Sequence, residues 1–175
     1  MTSIHIRIAQ PSDIPAIAKV HVDAWRTTYR GILPADFLAA LSYERSQLTW
    51  QQALSPESGS IVYVAENEQG EIIGFASGGP AREDDPTYPG EIYAIYLLEH
   101  VQRQGIGKRL FTTLATHLAQ QGMPGFMLWV VAENPARNFY EAMGGKVIKE
   151  KNESIGGVTI VEIGYGWDNS VYPEM

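Results

Sequence analysis

The sequence contains no cysteine among its 175 residues. Disulfide bonds, thiolate metal sites and cysteine nucleophiles are therefore excluded. Basic residues are also few, since 13 lysines and arginines stand against 20 aspartates and glutamates, which gives a formal net charge of −7. Such a chain has no broad basic surface that would neutralise a phosphate backbone, so we expect no nucleic-acid partner.

Long apolar runs are missing as well. Nowhere do about eighteen apolar residues follow one another, and the N-terminus has no basic stretch followed by an apolar one. We therefore expect no membrane partner and a cytoplasmic location. What is present is an apolar content of 45%, which at this length is enough for a sizeable core. We predict a single domain over residues 1–175, with a core at about 3–167 and a tail at 168–175.

Hydrophobic periodicity predicts an α/β domain. Ile4, Ile6 and Ile8 alternate with polar or small residues, which is typical of a half-buried strand. The segment after Ser12, a candidate N-cap, carries apolar residues at helical spacing, and a second helical region is expected from Pro34 to about Leu54. The pattern thus begins with one strand and helical segments.

The second half of the chain alternates strands and helices. The predicted elements are a hairpin at 61–66 and 71–77, a central strand at 91–98, a helix at 108–121, a strand at 126–131, a helix in "NPARNFYEAMGG" and a last strand pair at about 146–154 and 158–167. Asn134 is a candidate N-cap of the second of these helices. This order predicts a mixed sheet with helices on both faces.

The segment "QRQGIG", residues 102–107, joins the central strand to the next helix. Free backbone N–H groups at a helix start face an anion, and glycine at 105 and 107 removes the β-carbons that would keep a phosphate away. Lys108 and Arg103 add positive charge nearby. The segment therefore predicts a pyrophosphate site, although a tight turn with glycines for geometry alone is the simpler alternative.

Two other phosphate-binding motifs do not fit this spacing. A dinucleotide fingerprint needs a third small residue at position 110, where the chain has Leu110. A P-loop needs glycine at 102 and a hydroxyl residue after the lysine, whereas the chain has Gln102 there and Arg109 after Lys108. Neither motif explains the segment.

The pattern Gln102-x-x-Gly105-x-Gly107, followed some thirty residues later by "NPARNFYEAMGG", resembles the GNAT superfamily of acetyl-CoA-dependent N-acetyltransferases. "AWRTTYRGILP" also resembles the first helix and loop of a bacterial branch of that superfamily. The resemblance implies a GNAT-like fold, a mixed and mostly antiparallel sheet flanked by helices on both faces. It also implies acetyl-CoA as cosubstrate and direct attack by a primary amine in a ternary complex. The acceptor would be a small-molecule or protein amine, and many family members form homodimers.

The resemblance assigns cofactor contacts in three places. The pyrophosphate turn would consist of Gln102, Arg103, Gln104, Gly105, Ile106, Gly107 and Lys108. Backbone groups of Ile95, Tyr96 and Leu97 would bind the pantetheine and the thioester oxygen, because the central strand of the family bulges and splays from its neighbour. Asn134 and Arg137 would contact the cofactor from the following helix. Ordinary sheet core, a helix cap and a solvated arginine are the alternatives for these three sets.

Two residues match catalytic positions of the family. Glu91 begins the central strand and resembles the general base that would deprotonate the amine; a solvated carboxylate or an ordered water as base are the alternatives. Tyr140, in "FYE", resembles the acid whose phenol, with an ordinary pKa of about 10, protonates the thiolate leaving group. Its alternative is a half-buried tyrosine of an amphipathic helix.

The acceptor side is less defined. Trp25 and Tyr29 share a helical face with His21 and are predicted to bind the acceptor, although aromatic stripes of this kind more often form core. "REDDP", residues 82–86, carries three carboxylates that would favour a cationic amine. The histidines show no metal-ligand spacing, so we predict no metal. A catalytically silent sensor or interaction domain that binds acyl-CoA is the alternative function.

Overall fold

The computed structural model describes residues 2–168. Seven strands form one sheet in the order β1-β2-β3-β4-β5-β7-β6. The strands are β1 His5–Ile8, β2 Ile61–Glu66, β3 Ile72–Pro80, β4 Gly90–Leu97, β5 Phe126–Val131, β6 Lys146–Ile155 and β7 Val158–Trp167. Every neighbouring pair is antiparallel except β4 and β5, which run parallel. The predicted mixed, mostly antiparallel sheet is confirmed.

Five α-helices accompany the sheet in the described part of the chain. They are α1 Ile14–Thr28, α2 Ala35–Ala40, α3 Tyr43–Ala53, α4 Ile106–Gln120 and α5 Ala136–Ala142. The single helical region predicted from Pro34 onwards is wrong in one respect, because Leu41 takes an extended conformation and the chain starts a new helix after it. The Ser42 hydroxyl begins that helix by accepting a hydrogen bond from the Arg45 N–H, at 3.3 Å.

The start of α1 also differs from the prediction. A 3₁₀ turn, Pro11–Asp13, precedes α1, so Ser12 is not its N-cap. Asp13 closes this turn instead, because its carboxylate accepts a hydrogen bond from the Gln10 N–H at 2.7 Å. The same carboxylate pairs with Arg7 on β1 and so ties the first strand to the first helix.

The two faces of the sheet have separate cores. On one face, α4 buries Leu110, Leu114 and Leu118 completely, as their spacing predicts. On the other face, α1 and α3 pack Ile17 and Trp50 against β2, β3 and β4. Helices therefore cover both faces of the sheet, the α4 face and the α1 face.

Strand β4 carries a bulge at Tyr93. In its register with β3, Ala94 lies opposite Ser77 but Ile92 lies opposite Gly78, so one residue of β4 has no partner. Because side chains alternate along a strand, this extra residue reverses the faces of everything that follows it. Tyr96 therefore packs on the α1 face, whereas Leu97 packs on the α4 face.

Strands β4 and β5 separate almost at once. Their parallel ladder consists of two residue pairs, Gly90 with Phe126 and Glu91 with Met127. Beyond Glu91 the edge of β4 that faces β5 has no strand partner in the described residues. The sheet therefore opens in its middle, between a first half of four strands and a second half of three.

The second half of the sheet reaches back to α2. The turn between β6 and β7 holds Gly156, where an added β-carbon would lie 2.7 Å from the Phe37 ring of α2. Tyr29, Leu33, Val131 and Ile160 form a small buried cluster on the same side. The end of α1 and the second half of the sheet are thus fixed to each other across the opening.

The predicted boundaries of the domain stay a prediction. The described strands and helices fall between residues 5 and 167, within the predicted core of 3–167. Of the predicted tail, residues 168–175, all but Asp168 lie outside the described residues.

Candidate active site

The turn before α4 presents a run of free backbone donors. Gly105 has a φ of +81° and Arg103 a φ of +62°, so the turn uses the left-handed region twice. The first hydrogen bond of the helix runs from the Arg109 N–H to the Gly105 carbonyl. Within the described chain, the six N–H groups of residues 103–108 donate to no protein acceptor. Such a run of unpaired N–H groups at a helix start is suited to an anion.

Gly107 leaves space between β4 and α5. An added β-carbon there would lie 3.5 Å from Leu97 on β4 and 3.9 Å from Phe139 on α5, and no other atom would be closer than 4 Å. The Gln102 side chain turns the other way and donates to the Leu97 carbonyl at 3.2 Å. Arg103 and Lys108 are exposed. Backbone groups with two mobile cations beside them are what a diphosphate requires.

The free edge of β4 continues from this turn into the opening of the sheet. Ile95, Tyr96 and Leu97, the three residues predicted to contact the cofactor, all lie on the stretch that has no partner toward β5. Apart from the Leu97 carbonyl, which accepts from the Gln102 side chain, their backbone groups on that side are open to an extended ligand, which could pair with them as a strand would.

Tyr140 lies on α5, on the far side of the opening, and is 7% exposed. Burial raises the pKa of its phenol well above the ordinary value, and the nearby Tyr29 raises it further. Its hydroxyl makes no hydrogen bond to any residue described. The group therefore keeps its proton at neutral pH and has it available for a ligand.

The two other residues predicted to contact the cofactor here, Asn134 and Arg137, both make hydrogen bonds within the protein. The N-cap position of α5 is taken by Pro135 and not by Asn134 as predicted. The buried Asn134 lies one residue earlier, where its Oδ1 accepts from the N–H of Ala136, the first residue of the helix, at 2.9 Å, and its Nδ2 lies 3.5 Å from the Tyr29 hydroxyl. Arg137 is occupied, since its Nε donates to the Tyr165 hydroxyl at 2.9 Å and its Nη1 to the Ala132 carbonyl at 3.2 Å. A cofactor contact from Arg137 would have to replace these bonds.

Aromatic side chains form one wall of the opening on the α1 face. The Tyr29 and Tyr96 hydroxyls are 3.0 Å apart, and the Trp25 and Tyr29 rings lie with centroids 4.7 Å apart. The indole Nε1 of Trp25 is buried and makes no hydrogen bond of ordinary geometry in the described chain. Sequence reasoning placed Trp25 and Tyr29 on one face, and the structure adds Tyr96 to it.

His21 stands one turn earlier on α1, beside Trp25 and Tyr96. Its Nδ1 accepts from the Trp50 Nε1 at 3.3 Å and lies 3.1 Å from the Ser46 hydroxyl. Burial lowers the pKa of this imidazole to about 4, so it is neutral at physiological pH. His21 is thus a neutral part of the aromatic wall.

Glu91 is the buried end of an ion pair. Its side chain is 3% exposed and binds Arg82 through both oxygens, with the Arg82 backbone N–H at 3.0 Å and Nε at 2.9 Å. This pair raises the pKa of Arg82. The loop between β3 and β4, residues 81–89, is therefore anchored on the carboxylate that was predicted as the base.

Across residues 2–168, no three His, Asp or Glu side chains are grouped in a way that could hold an ion. Nor does any helix in that range combine the length and apolar character needed to cross a bilayer.

The comparison with protein families decides between the interpretations of this site. The profile of the acetyltransferase (GNAT) family matches residues 22–145, which include the turn, the free edge of β4 and all of α5. The chain belongs to the GNAT family. The predicted family, N-acetyltransferase activity and acetyl-CoA dependence are confirmed.

Relatives with N-acetyltransferase names cover almost the whole chain. An uncharacterized N-acetyltransferase of Bacillus subtilis, YuaI, is 44% identical over 94% of this chain and 92% of its own length. A probable N-acetyltransferase of Mycobacterium tuberculosis is 32% identical over 98% of both chains. The PaiA N-acetyltransferase of Thermoplasma acidophilum, solved with coenzyme A, superposes with a TM-score of 0.70 at 22% identity, over 91% of this chain and 98% of its own.

Sequence reasoning did not single out Glu162, a carboxylate close enough to Arg82 and Glu91 to act on them electrostatically. Glu162 on β7 lies on the same face as Ile160, whereas Ile163 and Tyr165 point to the α4 side. It sits opposite Val131 of β5 and Lys151 of β6. The sequence does contain a signal, because Glu162 is the one charged residue in the alternation of Ile160, Glu162, Gly164 and Gly166. Only the fold shows which groups this carboxylate faces.

Proposed function

We propose that this enzyme acetylates a primary amine, which attacks acetyl-CoA directly while both are bound. The observation that carries the proposal is the free edge of β4. It begins at the unpaired N–H groups of residues 103–108 and ends beside Glu91, with Tyr140 on one side and the aromatic wall on the other. A pantetheine-like arm that follows this edge would lead from an anion site to a wall suited to an amine.

The chain's own groups would hold the cosubstrate at both ends. The N–H groups of the turn would bind the diphosphate, with Arg103 and Lys108 beside it, and the open backbone of Ile95 to Leu97 would bind the arm. Acetyl-CoA supplies an acetyl group activated as a thioester. Binding two reactants in one cleft converts a bimolecular encounter into a local one, which is a large source of rate in itself.

Tyr140 would act as the general acid. When the amine nitrogen bonds to the acetyl carbon, the carbon–sulfur bond breaks and its electron pair remains on sulfur. The Tyr140 phenol gives that sulfur a proton and recovers one from the new amide nitrogen, so charge and protons balance. Its raised pKa supports this role, because the phenol is fully protonated when the step begins.

Glu91 retains the predicted base role as a proposal, with a restriction that comes from Arg82. Both oxygens of this carboxylate are already engaged, since they accept three hydrogen bonds from Arg82. The ion pair supports a positioning role, in which Glu91 holds the loop at residues 81–89 against the acceptor side. Trp25 and Tyr29 would contact the acceptor from the opposite wall.

The test is thiol release from acetyl-CoA with a panel of amines: 1,4-diaminobutane, spermidine, lysine, an aminoglycoside and a short peptide with a free N-terminus. An amine-dependent release, with a matching gain of 42 Da in the product mass, is expected for at least one of them. Release that no amine stimulates would overturn the proposal and favour an acyl-CoA sensor. The cytoplasmic location and the homodimer stay predictions, the second open to sedimentation analysis.

A further inference from the structure

Glu162 is a half-buried carboxylate without a partner. In the described part of the chain it makes no hydrogen bond and no ion pair within 4 Å. A carboxylate that has lost part of its hydration is usually paired, because the ionised form costs free energy in a less polar environment. The unpaired state of Glu162 therefore calls for an explanation.

The cations nearest to Glu162 are engaged elsewhere. Lys151, directly opposite on β6, holds its Nζ over the Trp129 ring, 4.3 Å from the centroid. Arg82, on the loop at residues 81–89, is bound to Glu91. Both positive groups act on Glu162 only at a distance, so the position of a direct counter-ion is open.

The groups around Glu162 come from every element that packs near it. They are Tyr29 of α1, Arg82 of the loop, Glu91 of β4, and Lys151 and Glu153 of β6. Burial raises the pKa of Glu162, Lys151 and Arg82 lower it, and the two other carboxylates raise it. A proton acceptor whose pKa is moved toward neutrality is better matched to an ammonium group than an ordinary surface glutamate.

The position of Glu162 connects both walls of the cleft. Its strand neighbour on the same face, Ile160, packs with Tyr29, and the Glu162 charge raises the pKa of that tyrosine. On the other side it interacts with the Glu91 and Arg82 pair. It therefore faces the space between the aromatic wall and the loop, where the acceptor would enter.

We propose that Glu162 binds the ammonium group of the acceptor and takes its proton before the attack. The inference rests on the proposed function and specifies the acceptor as a cationic amine. The proton moves from nitrogen to a carboxylate oxygen of Glu162, which leaves the nitrogen with the lone pair that attacks. Product release returns this proton to solvent. Glu91 then serves as a positioning residue through Arg82.

The experiment compares Glu162→Gln with Glu150→Gln, a matched removal of one exposed carboxylate from the neighbouring strand. The first variant should raise the KM of the most active amine of the panel by about tenfold or more, because a charge-assisted contact is lost. The Kd of coenzyme A should stay within about twofold of the wild type, since the turn is built from backbone. Glu150→Gln should change neither constant by more than about twofold, as expected for an exposed charge.

A second readout needs no turnover. Calorimetry of that amine binding to the enzyme with coenzyme A bound should show an affinity that falls as the pH is lowered in the wild type and is weak at every pH in Glu162→Gln. An amine KM and amine affinity unchanged in Glu162→Gln, in an enzyme that turns over, would overturn this inference alone. A wild type that no amine of the panel stimulates would overturn the proposed function and this inference together.

Discussion

The two sides of the cleft are built in different ways. The proposed donor side consists of the turn at residues 102–108 and the free edge of β4, two stretches adjacent in sequence that offer backbone groups. The proposed acceptor side takes side chains from α1, the loop at 81–89, β4 and β7. A backbone site depends on a short local pattern, so one glycine segment predicts it. A site made of distant side chains exists only after the chain has folded.

The largest expected effect separates the two sides. Gly107→Val should weaken coenzyme A binding about 100-fold, because the added side chain fills the space between Leu97 and Phe139 and blocks approach to several N–H donors. Its β-carbon makes only ordinary contacts, so the melting temperature should change little. Calorimetric titration with coenzyme A measures the loss. Thr113→Val, on the same helix, is the control, and an equal Kd for both variants would contradict a backbone anion site.

Tyr140→Phe tests the point where the two sides meet. The kcat should fall about 10- to 100-fold, the range for loss of a general acid, while the Kd of coenzyme A stays nearly constant. Steady-state kinetics with saturating acetyl-CoA give the answer. Tyr63→Phe removes a tyrosine hydroxyl that binds His117 far from the cleft and should leave kcat unaltered. An undiminished kcat in Tyr140→Phe would exclude this residue from the mechanism.

The stability of the folded protein should depend on pH through His21, a part of the aromatic wall. Its pKa is about 4 in the folded protein against about 6.5 in the unfolded chain, so the unfolded state binds the proton first as pH falls. Stability should therefore decline from about pH 6.5 to about pH 4, by about 2 kcal/mol at pH 5. Urea unfolding at several pH values measures the decline, and His21→Gln should reduce its slope. Identical slopes in both proteins would remove His21 as the cause.

Glu91→Gln should have the smallest of these effects on the protein, and it distinguishes Glu91 from Glu162 as the base. Loss of the charge weakens the Arg82 anchor, and because Arg82 is largely exposed we expect a cost of about 1 kcal/mol in the free energy of unfolding. The acidic limb of the kcat/KM profile should persist, whereas it should disappear in Glu162→Gln. Glu83→Gln on the same loop is the control for stability. If the limb vanished in Glu91→Gln instead, Glu91 would be the base.

The same contrast explains what the sequence could predict. The strand at 126–131, the helix face of Leu110, Leu114 and Leu118, and the turn at 102–108 are set by local period and glycine placement, and the structure has them where predicted. Ser12 was placed wrongly because Asp13, one residue on, offers a carboxylate to the Gln10 N–H. The break between α2 and α3 at Leu41 could not be predicted, because neither glycine nor proline occurs there.

The contacts on the proposed acceptor side could not be predicted from local sequence pattern. The partnership of Glu91 with Arg82 joins residues nine positions apart across a loop whose path no periodicity defines. Glu162 could not be singled out for a similar reason. The proposal for it depends on the lack of a direct contact with Lys151 or Arg82, and only the fold shows this. Tyr96 could be assigned to the α1 face only once the bulge at Tyr93 was known.

That bulge determines which side chains of the central strand face the aromatic wall. If Tyr93 instead paired with β3 and the strand kept its length, the ladder would be regular and every later side chain of β4 would change sides. Tyr96 would leave Tyr29 for the core under α4, and Leu97 would exchange that core for the aromatic wall. A change that straightens the bulge should therefore be more harmful than deletion of Tyr93, which would make the ladder regular and leave those side chains on their present faces.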